Sequence, residues 1–234
     1  MNREQVRQYL VAMATAAGIV MFLAIYLTLR RGYFDLAIVN KSLASGSLAL
    51  LGIVLLLGPL SRLYQRFDKW VNYRKELGIL AFFLGAAHVY LSMFPLARGG
   101  PFGLYLSRPL IAYSGLLGLL IMAVLFVISF EKIKSKIDTA KWWKTQYVGV
   151  RIAAIAILVH MTLFKYAEWL NWLKGETGKI AIPAWPPASL LIAVFSGFVL
   201  LVKISELAGQ RLGQKLTPVW LAAAAGILAW LFVR

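Results

Sequence analysis

There is no cysteine anywhere in the 234 residues. Disulfides, zinc–thiolate sites, iron–sulfur clusters and covalently attached c-type haem are thereby excluded. Any metal must be held by His, carboxylate, Met, Tyr or a ligand that is not protein. Histidine is nearly as scarce, at two residues, and Asp plus Glu number only nine against 25 Lys plus Arg. Charged residues make up 15% of the chain, where soluble domains carry about 25%. The sequence also contains no nucleotide-binding fingerprint, no P-loop and no low-complexity tail.

What is present is hydrocarbon. The chain is 61% hydrophobic, and its charges are spaced so that apolar runs long enough to cross a bilayer, about 20 residues, recur along it. Seven spans are expected, near residues 9–29, 43–64, 77–97, 109–130, 147–170, 188–207 and 218–232. The fold class is therefore all-α, a polytopic transmembrane helical bundle, with residues 1–234 as one membrane domain. The first span begins so early, and is followed by so many others, that it reads as a retained helix and not as a cleaved signal.

A net charge of +16 would suggest nucleic acid in a soluble protein. Here the cations fall between spans or at span ends, where they set topology and meet lipid headgroups, so membrane lipid is expected as a partner and nucleic acid is not. With seven spans the two ends of the chain face opposite sides. Of the 25 Lys and Arg, 16 fall on the N-terminal side and nine on the other, which puts the N-terminus in the cytoplasm by the positive-inside rule. Residues 65–76 and 131–146 are basic and amphipathic and are expected on the membrane surface, with Trp70 and Tyr73 as interfacial anchors. Residues 171–187 form the longest loop, stiffened by prolines and Trp185. Glu168 and Glu176, close to Lys165, Lys174 and Lys179, read as solvated pairs, and the methionines as core filler.

Both histidines lie inside spans. His88 belongs to YRKELGILAFFLGAAHVYLSMFP and His160 to VGVRIAAIAILVHMTLF. An ionisable group at that depth costs a few kcal/mol unless it has a partner, so each is a functional candidate. At 1.5 Å per residue, His88 lies about 20 Å along its helix from Lys75 and His160 about 24 Å from Lys144, and both spans run outward. The two imidazoles then sit at a similar level in the outer half of the bilayer. Gly85 and Ala81 precede His88 by three and seven residues, and Ala156 and Ala153 precede His160 by four and seven, so each histidine shares a face with small residues. Such faces let a flat macrocycle lie close against two helices. They also serve ordinary helix packing.

These residues resemble a known family, the ferric-reductase-like transmembrane domain. Arg74-Lys75-x-Leu77-Gly78-x-x-Ala81-Phe82-Phe83 leading to His88 is similar to its third helix, and Ser45-Gly46-x-x-Ala49-Leu50 through Pro59-Leu60-x-Arg62-Leu63 to its second. Ser107-Arg108-Pro109-x-Ile111 resembles the start of the fourth, and Trp143-Lys144 through His160 falls into register with the fifth. Within the family, the likeness is to haem-binding membrane subunits that serve a periplasmic methionine-sulfoxide reductase. It covers roughly residues 43–162 and implies a six-helix core, to which a seventh C-terminal helix is added here.

The resemblance implies a b-type cytochrome in a bacterial inner membrane, with no catalytic residue of its own. His88 and His160 would be the metal ligands of haem b, and Gly85, Ala81, Ala156 and Ala153 its close walls. Arg98, Arg108 and Lys165, on the outer side, would pair with its propionates. Relatives usually carry another histidine 13 residues before the position of His160, and here that position is Tyr147, so one haem is expected. Tyr147 reads as an interfacial anchor in preference to an iron ligand. A single haem in the outer half does not span a core of about 30 Å, which favours a membrane quinone over FMN as electron source and a periplasmic or outer-face redox protein as acceptor. The chain is then an electron-transfer subunit, not a self-contained enzyme. The alternative is a non-catalytic anchor or scaffold subunit that has lost haem binding.

Overall fold

In lipid every backbone polar group must be satisfied within its own segment, so a chain of apolar runs becomes a set of helices. The computed structural model describes residues 3–97 and 107–234. Seven of its helices are long and apolar enough to cross a membrane: α1 (Arg3–Arg31), α2 (Leu36–Leu63), α4 (Arg74–Met93), α5 (Pro109–Val127), α7 (Thr139–Leu173), α8 (Ala188–Leu207) and α9 (Gln210–Val233). Two short helices, α3 (Asp68–Val71) and α6 (Glu131–Lys134), lie in the basic connections. The architecture is the all-helical bundle expected.

The centre of the bundle is α2, which touches α1, α4, α7, α8 and α9. Its small residues permit this. At Gly46 an added Cβ would stand 2.9 Å from Val20, and at Gly52 2.6 Å from the Phe195 ring. The Ser47 hydroxyl donates to the carbonyl of Ala81 at 2.7 Å, so α2 and α4 are tied by a hydrogen bond that has no competing water in hydrocarbon.

Five helices start earlier than expected, and for three of them the reason is visible. Residues 36–42 are the first turns of α2 and not loop, because Asp35 caps the helix by accepting from Ile38 N at 2.8 Å, as N-terminal Asp commonly does. Residues 139–146 are the first turns of α7 and not part of the connection before it. Asp138 caps them through Lys141 N at 3.0 Å, while Trp142 Nε1 donates to Ile128 O at 2.9 Å and Gln146 Nε2 to Leu125 O at 3.1 Å. At 35 residues, α7 is about 52 Å long. Finally, α9 starts at Gln210 although Pro218 lies inside it. Proline removes the donor to the carbonyl four residues back, and that carbonyl, of Gln214, instead accepts from the Tyr64 hydroxyl at 2.8 Å.

The end of α1 is strapped down by residues 174–187. Tyr26 Oη donates to Pro186 O at 2.6 Å, Arg30 Nε to Trp185 O at 2.7 Å, and Ile182 N to Arg30 O at 3.1 Å. Trp185 stacks on Tyr26 with ring centroids 5.3 Å apart. Arg30 is only 2% exposed. The same end of the bundle holds the start of α2, the end of α4, the start of α5 and the end of α7, and these surround the site described next.

Candidate functional site

His88 and His160 line one cavity of about 300 Å³. This lies at the small end of the range for ligand sites, about 300–1,000 Å³. His88 comes from α4 and His160 from α7, and the cavity is closed by α2 and α5.

Each imidazole is held by a bond at one nitrogen. His88 Nδ1 lies 2.8 Å from Asn40 Oδ1, and the Asn40 amide donates onward to Ser92 Oγ at 2.9 Å. His160 Nδ1 lies 2.7 Å from the carbonyl of Ile111. Both partners are acceptors, so Nδ1 carries the proton in each ring and the Nε2 lone pair is left for a ligand to use. This is the arrangement by which a second hydrogen bond sets the tautomer of a metal-binding histidine.

The backbone makes room for it. Gly115 follows Ile111 by four residues on the same face of α5, and a Cβ there would stand 2.7 Å from His160 Nδ1. Only a glycine lets that ring reach the Ile111 carbonyl. Three residues on, Gly118 lets α5 approach α7 so closely that an added Cβ would be 2.5 Å from Ile157. Phe164 lies one turn after His160, with its ring parallel to the imidazole at 6.3 Å.

The mouth of the cavity is cationic. Arg30, Arg31, Lys41, Arg108 and Lys165 border it, with Glu168 the one carboxylate among the described lining residues. Lys165 pairs with Glu168 at 2.7 Å. Arg31 donates from one terminal nitrogen to Tyr33 Oη at 3.0 Å, while its enclosed Nε has no hydrogen-bond partner. A buried guanidinium nitrogen without an acceptor is costly unless something anionic comes to it.

Among the site residues expected from the sequence, His88, His160, Gly85, Arg108 and Lys165 border this cavity. Ala81 and Ala153 are fully enclosed in the apolar core, Ala156 is buried, and none of the three lines the cavity. Arg98 lies outside the described residues. Tyr147 does not line the cavity either; its ring, 40% exposed, lies 3.2 Å beneath the Arg151 guanidinium and 5.5 Å from Lys203 Nζ.

Sequence reasoning missed Asn40, Lys41, Arg30, Arg31 and Gly115. The first two were hidden by reading residues 32–41 as loop, although Asp35 ahead of an apolar run is a helix-start signal. Gly115 and Gly118, three apart in an apolar span, carry the small-residue spacing of close helix contact. Glu168, read as a solvated pair with Lys165, is indeed paired but stands at the cavity mouth.

Residues 43–158 match the model of the family described as ferric reductase like transmembrane component. The matched stretch takes in most of α2, all of α4 and α5, and α7 as far as two residues before His160. Over this stretch, which supplies part of the walls of the histidine cavity, the chain belongs to the ferric reductase-like transmembrane family.

Proposed function

We propose that the protein is a membrane redox subunit of the b-type cytochrome kind, in which one haem b is held between His88 and His160. The observation that carries this is the pair of imidazoles on one cavity wall set, each with Nδ1 committed to an acceptor. Among the described residues no three of His, Cys, Asp and Glu converge. Two imidazoles alone are short of a closed ion site, and they suit a metal whose other positions are filled by a macrocycle.

The protein's own groups have separable tasks. Nε2 of His88 and Nε2 of His160 would hold the iron of the group. Asn40, Ser92 and the Ile111 carbonyl fix the ring planes. Arg30, Arg31, Lys41, Arg108 and Lys165 offer cations to carboxylates at the mouth. Held by two imidazoles, the group would supply single-electron transfer in preference to oxygen binding.

The donor we favour is a membrane quinol, which releases two electrons and two protons, with a reduced flavin as the lesser option. The acceptor is a redox protein at the outer face, in the manner of the haem-binding subunit MsrQ (YedZ), which the sequence resembles. The excess of cations on the N-terminal side supports a cytoplasmic N-terminus, and the histidine cavity then opens toward the periplasm of a bacterial inner membrane.

The test is a reduced-minus-oxidised spectrum of the purified protein and of His88→Ala and His160→Ala. Sharp paired visible bands that vanish in either variant are expected. Their absence from the parent, or their survival in both variants, overturns the reading and leaves an anchoring subunit.

A further inference from the structure

At the opposite end of the bundle, four cations gather around one carboxylate. Arg62 pairs with Glu206 at 2.7 Å, and Lys203 pairs with the same carboxylate. Arg151 covers the Tyr147 ring and bonds the Tyr147 carbonyl. Arg74 approaches Arg62 across Gly58, where an added Cβ would stand 3.7 Å from one guanidinium and 3.6 Å from the other, and the enclosed Arg74 Nε has no hydrogen-bond partner. One carboxylate cannot neutralise four cations, and a guanidinium nitrogen removed from water lacks its acceptor.

A second cavity, of about 200 Å³, rises from Arg151 and Lys203 between α2, α7 and α8. It is apolar above that floor: Gly52 and Leu55 on α2, Ala154 and Leu158 on α7, and Val199 and Leu200 on α8 form its walls. From Arg151 to Leu158 is seven residues, as is Lys203 back to Ser196, so the slot is two turns or about 10 Å deep. Its rim faces outward, since Ile155 and Leu200 are exposed on the surface of the bundle. That surface is covered by lipid tails.

We infer that this slot holds an anionic phospholipid of the surrounding bilayer, with one acyl chain between α2, α7 and α8 and its phosphate against Arg151 and Lys203, the cations of the slot floor, with Arg74 adding to the positive field there. Charge decides the headgroup. A phosphate supplies negative charge to a cluster whose cations outnumber its carboxylate, whereas a choline headgroup would bring a further cation into it. The apolar slot decides the source. A phosphate from solution would fill the floor and leave two turns of hydrocarbon wall empty beside fluid lipid, which fills such a space readily. Basic clefts between transmembrane helices are suited to anionic lipid for these same reasons. The proposal does not depend on what the histidine cavity binds.

The test uses the full chain in detergent, titrated with phosphatidylglycerol or with phosphatidylcholine of the same acyl chains and read by native mass spectrometry. One phosphatidylglycerol is expected to stay bound where phosphatidylcholine does not. Arg74→Gln and Arg151→Gln should each weaken retention about fivefold, and Arg151→Lys much less. Ala154→Phe fills the slot with every cation in place and should abolish retention, while far-ultraviolet circular dichroism checks that the helices persist. Equal retention of the two lipids overturns the proposal. So does full retention of phosphatidylglycerol in Ala154→Phe, which would mean a phosphate held by the cations alone.

Discussion

His88 on α4 and Asn40 on α2 are joined at 2.8 Å through Nδ1 and Oδ1, and Asn40 is held in turn by Ser92. The acceptor on the far nitrogen of a ligating histidine is worth about 10- to 100-fold in metal affinity. With haem held as proposed, Asn40→Leu should lose it by that order on dilution, while Asn40→Asp keeps the acceptor and adds negative charge. The added charge makes the imidazole a stronger electron donor and should lower the midpoint potential. A potentiometric titration of the two variants checks both outcomes, and a potential unchanged in Asn40→Asp would remove Asn40 from any positioning role.

Gly115→Ala places a methyl 2.7 Å from His160 Nδ1. The ring must leave the Ile111 carbonyl, so the paired bands should broaden or disappear. Gly226→Ala, at a glycine with nothing within 4 Å of its would-be Cβ, serves as the control and should leave the spectrum unchanged. Equal spectra for the two variants would show that the close approach of α5 to His160 does not matter.

Glu168→Gln removes the one described carboxylate at the cationic mouth and releases Lys165 from its 2.7 Å pair. With haem held as proposed, more positive charge near its iron favours the reduced, less positive state, so the midpoint potential should rise. Arg31→Gln has the opposite sign. Redox titration at fixed pH and ionic strength separates the two, and a fall in potential in Glu168→Gln would contradict the electrostatic picture of the mouth.

Glu206 ties Arg62 and Lys203 with a side chain that is 7% exposed, whereas that of Arg62 is 55% exposed. Glu206→Gln leaves cations facing each other and should cost about 3 kcal/mol. Arg62→Gln, at a solvent-screened partner, should cost under about 1 kcal/mol. Thermal unfolding in detergent, followed by circular dichroism, ranks the two; a larger effect from Arg62 would reverse the assignment of Glu206 as the centre of the cluster.

The spans were legible because hydrocarbon thickness and backbone satisfaction leave a chain of apolar runs few alternatives. The cavity was legible in part, through two intramembrane histidines that nothing else in the composition explains. What the sequence did not disclose follows from where helices begin. Asn40 and Lys41 look like loop by hydropathy, yet Asp35 starts the helix before them, and being helical they turn inward onto the cavity. Ala81 and Ala153 share a face with the histidines in projection, but that face is wide enough to serve two neighbours. Ala81 meets Ser47 of α2, and the Ala153 carbonyl lies under Gly118 of α5. Helical periodicity gives direction around an axis and cannot say which neighbour is met there.

The strap over α1 has a consequence for biogenesis. Tyr26 and Arg30 find their acceptors 160 and 155 positions later in the chain. At translation speeds of about 5–20 residues per second, the first helix waits roughly eight to thirty seconds for the segment that fastens it. Through that interval the Arg30 guanidinium, later almost wholly enclosed, lacks the acceptor that fastens it, so the closing of the strap is a late event in assembly.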